Sequence, residues 1–238
     1  MHMPTKLFGI RFGGNTMKNK PKTLLSFALI LAFAILALGV LTNSPAITNF
    51  DSTISQSTAK LVTPTNTAFF TVVADLGSPL VAITLTVLLA GYVFYKKDHF
   101  LACWIILLQF GGSTLTEIIK VTIARPRPSH QIIADTGFSF PSGHTFCTTI
   151  FVICLLMVVL PKIPVDSRYY VIIPACTWII LVAFSRFYLR DHYPSDVVAS
   201  LLLATGLWLR LEGYRNRLHQ AATAFLTRRQ ARALPSKN

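Results

Sequence analysis

The chain has 238 residues, of which 53% are hydrophobic and only 13% are charged. A soluble domain carries about 25% charged residues, so this composition excludes an ordinary soluble fold and indicates an integral membrane protein. The formal net charge of +13 would suit a nucleic-acid-binding protein, but most of the basic residues lie near the two ends of the chain. Basic ends beside apolar segments are typical of anchoring next to anionic lipid, so we expect a bilayer and no nucleic acid as partner.

The first apolar segment follows a polar, basic stretch. Residues 1–22 contain five basic residues and no acid, and they predict a cytoplasmic tail whose native start is either Met1 or Met17. Residues 23–42 are apolar throughout and match the roughly 20 residues that a membrane-spanning helix needs. The apolar part of a secretory signal has only about 7–15 residues, so we expect 23–42 to be retained as a first span.

Residues 43–77 form a polar connection that contains two weakly amphipathic pieces. The second piece, residues 65–76, carries Phe69 and Phe70 among other apolar side chains. Two interpretations stay open for it. It packs against the bundle, which we favour, or it is an interfacial helix that gates access of a substrate.

Five further apolar segments predict five more spans, and the sequence shows no internal repeat. They cover residues 78–95, 100–124, 142–160, 169–185 and 195–212. Gly111 and Gly112 in the third span predict close helix packing. The predicted organisation is therefore a basic tail over 1–22, one six-helix membrane domain over 23–213, and a second basic tail over 214–238.

The distribution of basic residues predicts the orientation of these spans. If the N-terminus is cytoplasmic, the two tails and the inner connections hold most of the 22 Lys and Arg residues. This asymmetry follows the positive-inside rule, with both termini in the cytoplasm. The outer face then receives the connections over 125–141 and 186–194.

Unusual polar residues collect at the outer ends of the spans. They are Lys120, Arg127, Ser142, Gly143, His144, Arg186, His192 and Asp196. The densest group lies over 185–196. The alternative interpretation of this group is a juxtamembrane charge cluster that only marks topology. Charged groups at a membrane boundary cost free energy and are retained mainly where they have a function. Because all of these residues are predicted on the same side of the membrane, a functional site is favoured.

The residue types suit an anion such as phosphate. A helix that starts at Ser142–His144 presents free backbone N–H groups and the positive end of its dipole, and Gly143 permits close approach of the backbone. Lys120, Arg127 and Arg186 can surround the same anion with charge-assisted donors, which stabilise the oxygens of a phosphoryl group during transfer.

Two histidines complete the chemistry that phosphoryl transfer through a covalent intermediate requires. His192 and Asp196 are four residues apart, so a helix that starts at Pro194 brings them together and the carboxylate holds the imidazole in one tautomer. A neutral His192 would attack phosphorus, and a protonated His144 would donate to the leaving oxygen.

Three motifs in this order resemble the signature of the type 2 phosphatidic acid phosphatase superfamily, which includes the vanadium haloperoxidases. The first is Lys120 and, seven positions on, Arg127-Pro128; the second is Pro141–His144. The third is Ser185-Arg186 with His192 and Asp196 following. The resemblance covers about residues 68–213.

This resemblance implies an all-α fold, a bundle of six transmembrane helices of the phosphatase and haloperoxidase type, and hydrolysis without a metal or another cofactor. It implies that His192 is the nucleophile, Asp196 its partner and His144 the acid. It also implies that the phosphate is bound by Lys120, Arg127, Ser142, Gly143 and Arg186.

The predicted function is hydrolysis of a lipid phosphate monoester or pyrophosphate at the outer leaflet of the cell membrane, through a phosphohistidine. Phosphatidylglycerol phosphate, phosphatidic acid and undecaprenyl pyrophosphate are the candidate substrates. The alternative is a non-catalytic binder or transporter of phosphorylated lipid, but a transporter would more naturally have broken helices or repeat symmetry near the midplane. Haloperoxidase activity is disfavoured because its soluble chemistry does not need six apolar spans.

Several charged neighbours have weaker claims. Glu117 lies within the third span, and we expect it to pair with Lys120 three positions later. Arg125 and Arg190 are open to two interpretations, a wider basic mouth or plain loop charges. Asp191 is expected to take no part in catalysis.

The cysteines and the other histidines are expected to be structural. The four cysteines lie in apolar runs without metal-ligand spacing, so we expect small buried side chains rather than disulfides or a metal site. They are Cys103, Cys147, Cys154 and Cys176. The histidines without a partner at useful spacing are His99, His130 and His219.

Overall fold

The computed structural model describes residues 20–233, and every regular element in that range is helical. The start site, and the parts of the two predicted tails at 1–19 and 234–238, lie outside the described residues. The helices are α1 (Lys20–Leu41), α2 (Pro45–Ala59), α3 (Pro64–Leu76), α4 (Pro79–Tyr95), α5 (His99–Ile106), α6 (Gly112–Ile123), α7 (Gly143–Val159), α8 (Tyr169–Tyr188) and α9 (Pro194–Ala233).

The predicted membrane bundle is confirmed. Five helical segments are long and apolar enough to cross a membrane, and α3 with α4 makes a sixth if this pair, bent by 42°, counts as one span. The third predicted span consists of α5, a π-helical turn over Leu107–Gly111, and α6. The protein is therefore a multi-pass, all-helical membrane protein.

The last helix is longer than predicted. The sixth span was expected to end near Glu212, whereas α9 continues to Ala233. After Gly213 the chain contains no glycine or proline before Pro235 and is rich in alanine, leucine, arginine and glutamine. These residues have high helix propensity, so the helix continues beyond the apolar segment.

Helix α7 lies in the middle of the bundle and has ten buried residues. Phe146 and Ile150 are fully buried, and Ile105 and Ala204 of the neighbouring helices belong to the same cluster. The predicted close packing is found at Gly112, where a Cβ atom would lie 2.8 Å from Cζ of Phe146. This central position holds the N-terminus of α7 among the other helices.

Apolar side chains also cover the outside of the bundle, as expected for a surface in contact with lipid. Leu31, Leu88 and Ile180 are each more than 60% exposed. The expectation of buried cysteines is confirmed for Cys147 and Cys154 but is wrong for Cys103 and Cys176, which are exposed. An apolar sequence does not distinguish the core from the lipid face, because both are apolar in a membrane protein.

The polar connection 43–77 forms helices α2 and α3. The packing interpretation is confirmed for Phe70, whose ring lies 4.5 Å from that of Tyr188 and 5.0 Å from that of Phe184. Phe69, by contrast, is 52% exposed. Helix α3 thus attaches to α8 close to the residues that follow it, 189–193.

Candidate active site

The loop over 125–141 is attached to its surroundings by backbone hydrogen bonds. The N–H of Ser139 donates to the carbonyl oxygen of Arg125 at 2.8 Å, which closes the loop on itself. The N–H of Ile132 donates to the carbonyl oxygen of Leu189 at 2.9 Å. The loop is therefore held against the connection between α8 and α9.

The start of α7 is attached to the start of α9. The N–H of Ser142 donates to the carbonyl oxygen of Asp196 at 3.4 Å, and the hydroxyl of Ser200 donates to the carbonyl oxygen of Ser142 at 2.9 Å. Ser142 is also the N-cap residue of α7, with its side chain accepting from the N–H of Thr145. Two motifs that are far apart in sequence are therefore joined directly.

His192 is buried, and its two ring nitrogens have different environments. Nδ1 lies 2.7 Å from the carbonyl oxygen of Ser139 and 3.6 Å from Oδ2 of Asp196. A carbonyl oxygen can only accept, so Nδ1 carries the proton and Nε2 keeps its lone pair. Burial lowers the pKa of His192 to about 4, with Arg127 contributing and Asp196 opposing the shift.

Asp196 meets His192 differently from the prediction. Helix α9 begins at Pro194, so His192 precedes it and the two residues do not share a helix face. Oδ2 of Asp196 accepts from the N–H of Tyr193 at 2.9 Å, as a cap at the start of the helix. The carboxylate is thus a second neighbour of the imidazole, after the carbonyl oxygen of Ser139.

A buried ion-pair network supports Asp196 from behind. Arg125 donates to Asp196 and, at 2.7 Å, to Oδ2 of Asp51, while its guanidinium lies 3.8 Å from the ring centroid of Tyr193. Asp51 also accepts from the N–H of Ser195 at 2.8 Å. Arg125 is therefore not a plain loop charge, because its side chain joins α2 to the start of α9.

Arg127 lies beside Nε2 of His192. Its Nη1 is 3.4 Å from that nitrogen and donates to the carbonyl oxygen of Asp191 at 2.9 Å. Its Nε and Nη2 donate to the carbonyl oxygen of Thr136, and Nε also to that of Gly137. The guanidinium is therefore fixed in orientation by backbone oxygens of two different segments.

Arg186 lies close to Arg127, and two carboxylates lie between and beside them. Oδ2 of Asp135 is 2.9 Å from Nη2 of Arg186 and 3.0 Å from Nη1 of Arg127. Oδ2 of Asp191 is 3.0 Å from the same Nη2 of Arg186. Burial raises the pKa of Asp191 to about 6, although Arg186 opposes the shift.

The start of α7 completes the cluster. Nζ of Lys120 lies 3.6 Å from the position that a Cβ atom would take on Gly143, and it pairs with Glu117 at 3.4 Å, as predicted. His144 follows Gly143 at the start of α7, and the ionisable groups that act on it are those of Arg186, His192, Arg127 and Lys120. All eight residues singled out in the sequence therefore lie at one end of the bundle.

A cavity of about 460 Å³ borders the cluster on the side of α2. Its lining includes His192, Arg125 and Arg190 together with polar side chains of α2 such as Ser55 and Gln56. Within residues 20–233, no group of three His, Cys, Asp or Glu side chains has the arrangement of a metal site.

Three residues that contribute to the site were not predicted from the sequence: Asp51, Asp135 and Ser139. Asp135 is the one acid in the basic loop 125–141, and this contrast was a usable signal. Asp51 gave a weaker signal, as an acid in a connection otherwise rich in serine and threonine. Ser139 acts through its backbone oxygen, which no side-chain pattern reveals.

Comparison with known proteins is consistent with this geometry. Residues 98–218, which include every one of the eight residues, match the family model described as PAP2 superfamily. The chain is 29% identical over 207 residues to phosphatidylglycerophosphatase B of Bacillus subtilis strain 168, which covers 84% of this chain and 96% of that relative. It is 26% identical over 147 residues to lipid A 4'-phosphatase of Bacteroides thetaiotaomicron, which covers 55% and 61% respectively.

A solved structure has the same architecture. The crystal structure of a transmembrane PAP2 type phosphatidylglycerolphosphate phosphatase from Bacillus subtilis matches with a TM-score of 0.72 and 25% sequence identity. The match covers 81% of this chain and 96% of that one.

Proposed function

The chain belongs to the PAP2 superfamily as a membrane lipid phosphatase, and we propose that it cleaves a lipid phosphate monoester or pyrophosphate through a phosphohistidine. The observation that carries this proposal is the unprotonated Nε2 of His192, which faces Nη1 of Arg127 at 3.4 Å. A neutral nitrogen with its lone pair directed at a cationic site is suited to attack on a bound phosphoryl group.

The first step transfers the phosphoryl group to the protein. Nε2 of His192 forms a bond to phosphorus while the bond from phosphorus to the leaving oxygen breaks, and His144 donates a proton to that oxygen. Arg127, Arg186 and Lys120 stabilise the charge on the remaining phosphoryl oxygens. The positive charge that develops on the imidazole is stabilised by the nearby carboxylate of Asp196.

The second step restores the enzyme. His144, now neutral, accepts a proton from a water molecule, which attacks phosphorus as the bond to Nε2 of His192 breaks. Orthophosphate leaves, and both histidines return to their initial states. A bound phosphate dianion places negative charge among the basic groups around His144, which favours the protonated imidazole that the first step needs.

Three candidate substrates suit the setting of the site. Phosphatidylglycerol phosphate, phosphatidic acid and undecaprenyl pyrophosphate each combine a terminal phosphate with a long apolar chain, and the site lies at the end of a lipid-facing bundle. We propose the outer leaflet as the place of reaction, with both termini cytoplasmic, because the basic residues outside the site are concentrated on the opposite connections and tails. We also propose that catalysis needs no metal, because Lys120, Arg127 and Arg186 supply the positive charge.

Phosphate release from purified protein tests the proposal. Wild type, His192→Ala, His144→Ala and the control His99→Ala are each assayed in detergent micelles on the three candidate lipids, with and without a chelator. We expect no release by His192→Ala, a loss of about 10²–10⁴-fold for His144→Ala, and no effect of His99→Ala or of the chelator. Full activity of His192→Ala would refute the nucleophile.

The same preparations separate an enzyme from a binder or transporter. Reactions with a lipid labelled on its terminal phosphate are quenched in alkaline detergent, and we expect a labelled protein whose label is lost on acid treatment in wild type and no labelled protein in His192→Ala. Binding of the lipid without release of phosphate in wild type would support the alternative.

A further inference from the structure

Asp135 occupies the place between two guanidinium groups where the proposed mechanism needs a phosphate. Its Oδ2 lies 2.9 Å from Nη2 of Arg186 and 3.0 Å from Nη1 of Arg127. The same Nη1 is 3.4 Å from Nε2 of His192, so the carboxylate lies near the proposed nucleophile. A bound phosphate and Asp135 therefore need the same donors.

The carboxylate belongs to a short segment that is tethered at both ends. Residues 133–138 lie between the backbone hydrogen bond from Ile132 to Leu189 and that from Ser139 to Arg125. Rotation of the Asp135 side chain is enough to release both guanidinium groups, while the carbonyl oxygens of Thr136 and Gly137 keep their hydrogen bonds from Arg127. Displacement of the carboxylate by a ligand therefore does not require the site to unfold.

Exposure differs between the acid and its partners. The side chain of Asp135 is 32% exposed, whereas those of Arg127 and Arg186 are 11% and 4% exposed. The acid is thus the accessible member of a cluster whose arginines are fixed.

Asp135 accepts only some of the hydrogen bonds that Arg127 and Arg186 can donate. Its Oδ1 accepts from the N–H of Thr136 at 2.8 Å, so Oδ2 alone serves both guanidinium groups. Nε of Arg186 is buried and has no hydrogen-bond partner within the part of the chain that the structure describes. A terminal phosphate offers three acceptor oxygens and can use donors that one carboxylate oxygen leaves free.

We propose that Asp135 is a specificity-determining residue, an internal competitor that a doubly charged phosphate monoester displaces and a singly charged phosphodiester does not. The inference rests on the proposed function. At pH 7 a phosphate monoester carries about −1.5 to −2 charges. Its exchange for a carboxylate adds negative charge to a basic cluster, whereas exchange for a phosphodiester adds none.

Competition by Asp135 matters because of where the site lies. The cluster of Lys120, Arg127 and Arg186 lies at the end of a membrane bundle, where ordinary phospholipids present phosphodiester groups in great excess over any substrate. Without a competitor these groups would occupy the arginines. Because a ligand must displace the carboxylate of Asp135, only a ligand with more negative charge binds well. The site therefore favours phosphate monoesters and pyrophosphates over phosphodiesters.

Inhibition kinetics of wild type, Asp135→Asn and the exposed-acid control Asp166→Asn test the inference. Phosphatidic acid in neutral detergent is the substrate, and phosphatidylglycerol, a phosphodiester, is the added competitor. In Asp135→Asn we expect KM to fall about tenfold and inhibition by phosphatidylglycerol to strengthen about tenfold, as for the loss of one charged competitor. Asp166→Asn is expected to match wild type.

The outcome distinguishes a competitor from a structural support. If Asp135 instead positions the arginines, Asp135→Asn raises KM, lowers kcat and leaves inhibition by phosphatidylglycerol weak, and the inference is overturned. Unchanged constants overturn it as well. Asp135→Ser is expected to behave like Asp135→Asn, and thermal unfolding of both variants checks that the fold is kept.

A binding measurement separates this inference from the proposed function. Thermal unfolding of the purified protein is followed against inorganic phosphate, which requires no turnover. We expect Asp135→Asn to bind phosphate about tenfold more tightly than wild type. If wild type releases phosphate from no lipid, the proposed function fails while this comparison still decides whether Asp135 competes; equal affinity in both proteins would exclude competition.

Discussion

The carbonyl oxygen of Ser139 lies 2.7 Å from Nδ1 of His192, closer than the carboxylate of Asp196 at 3.6 Å. The backbone of the loop therefore selects the tautomer, and the aspartate adds negative charge behind the ring. Where an aspartate alone selects the tautomer, its replacement by asparagine costs about 10⁴-fold in rate.

We accordingly expect Asp196→Asn to lower kcat by about 10–100-fold, well short of that 10⁴-fold loss. The amide keeps an acceptor for the N–H of Tyr193, so the start of α9 is retained, while the charge that stabilises an imidazolium is lost. Initial rates on phosphatidic acid in micelles provide the measurement. A variant as inactive as His192→Ala would show that Asp196 holds the tautomer after all.

The pH dependence of the protein should reflect the burial of His192. Burial lowers its pKa from 6.5 to about 4, so the imidazole stays neutral when the pH falls through 6.5. We expect kcat/KM, which reports the free enzyme, to show no loss centred near pH 6.5 from protonation of His192, and the acid limb of this group to lie near pH 4. A limb of kcat/KM near pH 6.5 that disappears in a His192 variant with residual activity would show that His192 is not shifted by burial.

The same shift has a consequence for stability. Below pH 6.5 the unfolded chain binds a proton at His192 that the folded protein does not bind until about pH 4. Stability therefore decreases as the pH falls from 6.5 to 4. In His192→Asn this contribution is absent, so thermal unfolding between pH 7 and 4.5 should decline less steeply than in wild type.

The sequence was sufficient for the bundle because hydropathy reports membrane burial directly, and 20-residue apolar runs have few alternatives. It also indicated eight residues that the structure brings to one end of the bundle, since charged groups at span ends are unusual. It could not reveal the contacts made by Asp51, because pairing with Arg125 joins residues 74 positions apart. Nor could it reveal Ser139, whose contribution is a backbone oxygen. The length of α9 was underestimated because the prediction followed hydropathy, whereas helix propensity decides where this helix ends.

Arg125 should prove to be a stabilising residue. Its partners Asp51 and Asp196 have side chains only 4% and 0% exposed, so Arg125→Met leaves two buried carboxylates without their cationic partner. Removal of one partner of a buried ion pair costs about 3–5 kcal/mol, and we expect a loss of that size in the free energy of unfolding. Arg190→Met, a neighbouring cation that makes no ion pair among residues 20–233, should change it by less than about 0.5 kcal/mol. Denaturant unfolding in micelles measures both, and equal effects would show that the pairing is not the cause.

Arg186 should depend on its planar guanidinium and not merely on its charge. Lysine at this position keeps one positive charge but cannot supply Nε and Nη2 together to two phosphate oxygens. We expect Arg186→Lys to lower kcat about 10²–10³-fold, the usual effect of losing a fixed donor to a developing charge. Arg168→Lys, at the far end of α8, is the matched control and should retain wild-type activity. Comparable activity of the two variants would mean that charge alone suffices at 186.

Orientation in the membrane is open to a direct test with introduced cysteines. The proposed topology places the loop 125–141 outside and the connections at 96–98 and 161–168 inside. In a background lacking the four native cysteines, Ser129→Cys should therefore react with an impermeant maleimide in intact cells. Lys97→Cys and Arg168→Cys should react only after the membrane is permeabilised. Labelling of Arg168→Cys in intact cells would reverse the orientation and move the proposed reaction to the cytoplasmic leaflet, whereas the geometry of His192 with its arginines would be unaffected.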